Sequence, residues 1–120
     1  MILALHHAQI TIPKEAEDPA RAFYCGLLGF KEVPKPESLT GRGGFWLAAG
    51  DRQLHIGVED NVDRSRTKAH VAFLVDDLAS MKTLLTKSGI ELIEGIPIPG
   101  YLRFEFRDPF GNRVEFLQTI

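Results

Sequence analysis

His7, His55, His70 and Glu115 are the residues of this chain best suited to joint chemistry. Imidazole nitrogens and a carboxylate oxygen form a donor set for Zn, Ni, Fe, Mn or Co. Three neutral imidazoles and one carboxylate leave a divalent ion with a net charge of about +1, enough to polarise a bound water or an oxygen-bearing substrate. Their spacing matters as much as their type: 48 residues separate His7 from His55, and 45 separate His70 from Glu115. Each lies in a short alternating run, on the face opposite that run's hydrophobic row. A single strand histidine is most often structural, but matched positions in two halves of a chain are harder to assign to packing alone. By parity, Arg103 and Glu105 share the face of Glu115, where they either contact substrate or form a surface ion pair.

These side chains need strands to hold them, and the strands are legible. Leu102, Phe104 and Phe106 alternate with Arg103 and Glu105; Val114 and Phe116 alternate with Arg113 and Glu115. Between the runs, Asp108-Pro109-Phe110-Gly111 suits a type I turn, so the segment reads as a β-hairpin with Glu115 in mid-strand. A carboxylate there needs solvent or a partner, because an unpaired buried charge is too costly. Residues 2–12 alternate as a strand, with His7, Gln9 and Thr11 on the more polar face and His6 as a packing or strand-end residue. Asp18-Pro19 predicts a helix start with Asp18 as N-cap, Ala20, Phe23, Tyr24, Leu27 and Leu28 its apolar stripe, and Gly29 its stop. Residues 30–33 are extended, and 34–44, with two prolines and three glycines, read as a loop. Phe45–Ala49 and Arg52–Val58 are strands, the second pointing His55 away from Leu54 and Ile56. Trp46 reads as packing. After a polar stretch over 59–68 the pattern restarts: a strand opened by His70, a helix capped by Asp76-Asp77 and ended by Ser88-Gly89, a strand over 90–93, a Pro/Gly loop over 95–100 that covers a pocket or only connects strands, and the hairpin.

The expectation is an α+β fold of two βαβββ modules forming a curved mixed sheet. It is one domain over 1–120, with module one at about 1–60 and module two at about 68–120. At 120 residues with 44% hydrophobic and 25% charged content, composition is that of an ordinary soluble globular chain. A net charge of −2 without basic blocks excludes a nucleic-acid footprint. The apolar start, residues 1–5, is too short for a membrane span or a signal peptide. Cys25 is the one cysteine, which excludes an intrachain disulfide and a cysteine metal cluster, and its helical neighbours place it in the core. A cytoplasmic location is the default expectation.

The chain resembles the vicinal oxygen chelate superfamily, which includes glyoxalase I, bleomycin-resistance proteins and extradiol dioxygenases. The residues that carry the resemblance are His7 to Ile12, Phe23 to Phe30, His70 to Asp77, and Asp108 to Glu115. The resemblance implies paired βαβββ modules, a homodimer in which facing modules can come from different chains, and metal ligands at His7, His55, His70 and Glu115. It implies a small-molecule substrate that chelates the metal, and a lyase or isomerase reaction in which Glu115 moves the proton. Bacterial glyoxalase I commonly has an acid where this chain has His55, so His55 is read as a ligand or as its neighbour. Two further readings follow from the same resemblance. One is an iron-dependent extradiol-type dioxygenase using His7, His70 and Glu115; the other is a non-catalytic, bleomycin-resistance-like binding protein.

Overall fold

The structure, a computed structural model, describes all 120 residues. Contacts divide it into two units, Met1–Val62 and Asp63–Ile120. In the first unit, β1 (His7–Ile12) is followed by α1 (Glu17–Arg21), β2 (Lys31–Val33), β3 (Phe45–Ala49) and β4 (Arg52–Val58). The second has β5 (His70–Leu74), α2 (Leu78–Lys87), β6 (Leu92–Ile93), β7 (Tyr101–Arg107) and β8 (Arg113–Thr119). Each unit forms its own four-stranded mixed sheet, ordered β1-β4-β3-β2 and β5-β8-β7-β6. The first and last strands of each unit are parallel neighbours, and the remaining pairs are antiparallel. The α+β class and the βαβββ repeat are therefore as the sequence patterns require.

Alternation decides which face of each sheet is core. Ile12, Leu47, Leu54 and Ile56 are buried with Ala20, Phe23 and Tyr24 of the helix in the first unit. In the second, Phe104 and Phe106 each meet Phe116 edge-on at 5.8 and 5.1 Å between centroids, joined by Val114 and by Leu78 and Leu85 of α2.

Several local features differ from the sequence expectation. β1 starts at His7 rather than Ile2, because its partner β4 begins only at Arg52, so residues 2–6 have no strand to pair with; Ile2 and Leu3 are exposed. The first helix starts at Glu17 with Ala16 at the cap, placing Asp18 inside the first turn, where an acid still complements the helix dipole. That helix continues as a π-helix over Ala22–Leu27, with the Leu28 N–H donating to the Phe23 carbonyl at 2.9 Å. Cys25 is only partly buried, although burial still raises its thiol pKa. Within the loop 34–44, Glu37–Arg42 forms a 3-10 helix. The loop then enters β3 through Gly44 at φ +76°, where an added Cβ would stand 2.0 Å from the Ile56 carbonyl oxygen. Only glycine allows that approach.

The anticipated caps are present at α2, whose Asp77 accepts from the Ser80 amide, and at Gly29 and Gly89, both with positive φ. The hairpin turn forms as read: Asp108 accepts from the amides of Phe110 and Asn112 at 2.9 and 2.8 Å, and Gly111 closes the turn with its N–H on the Asp108 carbonyl.

Candidate functional site

In the second unit, antiparallel pairing sets Glu105 directly opposite Glu115. The phenylalanines take the core face, so Arg103, Glu105, Arg113 and Glu115 all fall on the other side. Both carboxylates are nonetheless buried, 4% and 6% exposed. Arg103 Nη1 donates to Glu115 Oε2 at 3.0 Å and lies 3.6 Å from Glu105 Oε1. Arg113 donates to Glu105 Oε2 from Nε at 2.8 Å and again from Nη2. Two guanidinium groups thus balance two carboxylates, which is how such charges remain buried at tolerable cost. The Arg103–Glu105 pair is therefore part of a buried network and not a surface pair. Arg103 also donates from Nε to the Ile96 carbonyl at 3.0 Å, and an added Cβ on Gly95 would stand 2.6 Å from the guanidinium carbon. The loop over 95–100 is thereby tied to the carboxylates.

His70 completes this group from β5. Its Nδ1 donates to the Lys68 carbonyl at 3.0 Å, and its Nε2 faces Glu115 Oε1 at 3.2 Å. A carbonyl can only accept, so Nδ1 carries a proton and Nε2 is the ring nitrogen turned towards the carboxylate oxygen. A proton on Nε2 bridges such a gap in an ion pair, and a metal ion bridges it equally well. Ligands at about 2.1 Å from one ion, at octahedral or tetrahedral angles, lie roughly 3.0–3.4 Å apart, which brackets the observed gap. Anchoring the remote ring nitrogen on a carbonyl is also how metal-binding histidines are oriented. Ligand atoms of His70, Glu105 and Glu115 all lie within 4.8 Å of one another. The donor set fits a divalent ion.

In the first unit, the corresponding strand positions hold His7 and His55. The rings of His7 and His55 stack at 4.0 Å between centroids, and Trp46 stacks on the other side of the pair, 3.9 Å from the His55 ring at 1°. Trp46 lies directly across the sheet from His55 and belongs to the polar face, not to the core. His55 Nε2 is 2.9 Å from Gln53 Oε1, and His7 Nδ1 is 2.9 Å from His6 Nδ1. The structure thus brings His70 to Glu115 and His7 to His55, each pair within its own unit. Glu105, expected as a substrate contact or as part of a surface ion pair, joins the metal-competent trio.

Burial, and then the neighbouring His7, push the pKa of His55 from 6.5 down to about 4. Above pH 6.5 the ring is neutral whether the chain is folded or not, and its ionisation is without effect on stability. As pH falls through the window from 6.5 to 4, the unfolded chain takes up a proton that the folded chain refuses. Metal-free protein should then lose up to about 3 kcal/mol of stability from this group. Denaturant midpoints across that range should fall for the wild type, and this part of the slope should vanish in His55→Phe.

One contributor was not singled out from the sequence: Arg113 was on the correct face by parity, and its pairing with Glu105 follows once the hairpin register is known.

The sequence profile of the Glyoxalase/Bleomycin resistance protein/Dioxygenase superfamily matches residues 5–116. A protein from Bacillus anthracis assigned to the glyoxalase family is 42% identical over 100% of this chain and 98% of its own, with a TM-score of 0.91. The fold is also that of the fosfomycin resistance protein FosX from Listeria monocytogenes, at 17% identity, 100% and 96% coverage and a TM-score of 0.76. It is shared by TnmS3, an antibiotic binding protein from Streptomyces sp. CB03234, at 18% identity, full coverage of both chains and a TM-score of 0.72. No curated protein sequence matches the chain. No helix is long and apolar enough to cross a membrane. With strand order, repeat and matched profile in agreement, the chain belongs to the Glyoxalase/Bleomycin resistance protein/Dioxygenase superfamily.

Proposed function

We propose that the chain is a glyoxalase-like metalloenzyme, a lyase or isomerase acting on a small oxygen-chelating substrate. A divalent ion would be held by His70 Nε2 and Glu115 Oε1, with Glu105 in reach as a further ligand. The observation that supports this reading is the convergence of His70 Nε2, 3.2 Å from a buried Glu115 oxygen, with Glu105 inside 4.8 Å of both. When bound, a divalent ion stabilises negative charge developing on a substrate oxygen. The residues of the chain do the rest. Lys68 fixes the tautomer of His70. Arg103 holds Oε2 of Glu115, so Oε1 is the oxygen that would leave the ligand set, turn towards the substrate and take its proton. Arg113 pins Glu105 through both of its bonds, so Glu105 is the less free base of the two. His7 and His55 remain members of the proposed ligand set, and a cytoplasmic homodimer is part of the same reading.

A second reading, a metal-free small-molecule binding protein, is favoured by one observation: Arg103 already neutralises Glu115. Elemental analysis of purified protein, followed by an activity screen with the metal found, separates them. Nickel, zinc, manganese or cobalt together with isomerase or lyase turnover is the expected result. Iron with oxygen uptake would replace it by a dioxygenase, and ligand binding with no metal affinity would replace it by the binding protein.

A further inference from the structure

The first unit contains a cavity of about 640 Å³, within the range of small-molecule sites. Its wall carries Lys35, Arg42, Trp46 and the imidazoles of His6, His7 and His55, and no acidic side chain lines it. The charge is thus one-sided in a chain whose net charge is −2. Lys35 is half-buried and is not free to wander: its Nζ donates to the Gly43 carbonyl at 2.7 Å, which leaves two of its three donors for a ligand. Gly43 has φ +74° and Gly44 φ +76°, a backbone conformation that presents this carbonyl and bends the loop against β4. Glu17 is tied to the same loop but accepts from the Gly44 amide at 3.2 Å and does not line the cavity. Trp46 adds a flat aromatic surface beside the cations.

We infer that this cavity binds an anionic ligand, a small carboxylate or phosphate carrying a planar or apolar group, with Lys35 and Arg42 holding the anion and Trp46 flanking the remainder. A cationic ligand is disfavoured by the same wall. The inference goes beyond the proposed function: it rests on the first unit alone and does not require the ion.

Trp46 is the one tryptophan of the chain, so its fluorescence reports on this cavity alone. Metal-stripped protein should be titrated with phenyl phosphate, inorganic phosphate and phenol. Saturable quenching by phenyl phosphate, weakened by salt and absent with phenol, is expected. Charge-assisted hydrogen bonds of this kind are worth roughly ten- to a hundredfold in affinity, so Lys35→Met should weaken binding at least tenfold and Lys35→Arg should restore most of it. Arg42→Met should weaken it in the same direction. His70→Ala should leave anion binding intact even where it abolishes metal binding, which keeps failure of this inference distinct from failure of the metal reading. Equal binding of phenol and phenyl phosphate, or affinity undiminished in Lys35→Met, would overturn it.

Discussion

Metal-loaded Glu115→Gln should turn substrate over about 10²–10⁴ times more slowly than the wild type, the usual cost of removing a general base. Glutamine keeps an oxygen for the ion and for Arg103, but it cannot take a proton at neutral pH. The expectation rests on an asymmetry between two buried carboxylates that face each other across the hairpin. Glu105 accepts twice from Arg113 and has Arg103 3.6 Å from its other oxygen. Glu115 is held on Oε2 alone, and its Oε1 is the oxygen turned to His70. Glu105→Gln should therefore retain more activity than Glu115→Gln at saturating metal. If Glu115→Gln keeps near-normal turnover while metal-loaded, it is not the base, and activation must come from the ion or from another group.

The hairpin shows how far the sequence alone could go. Parity placed Arg103, Glu105, Arg113 and Glu115 on one face, and the cost of an unpaired buried charge demanded a partner for Glu115. What parity could not supply was the neighbour across the sheet. Glu105 opposes Glu115 because of the strand register, and that register depends on where the Asp108 turn closes. The repeat was legible for a similar reason: alternating strands and a helix with a glycine stop recur in both halves. The π-helical turn was not, because its i→i+5 bonds leave no periodicity that a short apolar run can display. Nor was the burial of His55. It points away from Leu54 and Ile56, as alternation demands, yet it is only 5% exposed because aromatic rings cover it on both faces. Alternation divides a strand's faces but does not say that both are covered. The 3-10 helix over Glu37–Arg42 was hidden among turn-forming residues, and with it Arg42 of the first unit's cavity.

The central claim is that His70 and Glu115 face each other across a metal ion. Removing the carbonyl-anchored imidazole takes away a ligand, which costs more than the ten- to hundredfold typical of losing a residue that merely orients one. Affinity for nickel or zinc in His70→Ala should therefore fall at least about 100-fold. His70 is exposed at the start of β5, so the variant should remain folded, as circular dichroism can verify. The same titration of His7→Ala and His55→Ala tests their membership of the ligand set: a small loss would make either a neighbour of the ion rather than a ligand. Calorimetric titration of the metal-stripped wild type against His70→Ala is the most direct measurement. One divalent ion bound per chain by the wild type, with binding lost in His70→Ala, is the predicted result; equal affinity in the two proteins would contradict it.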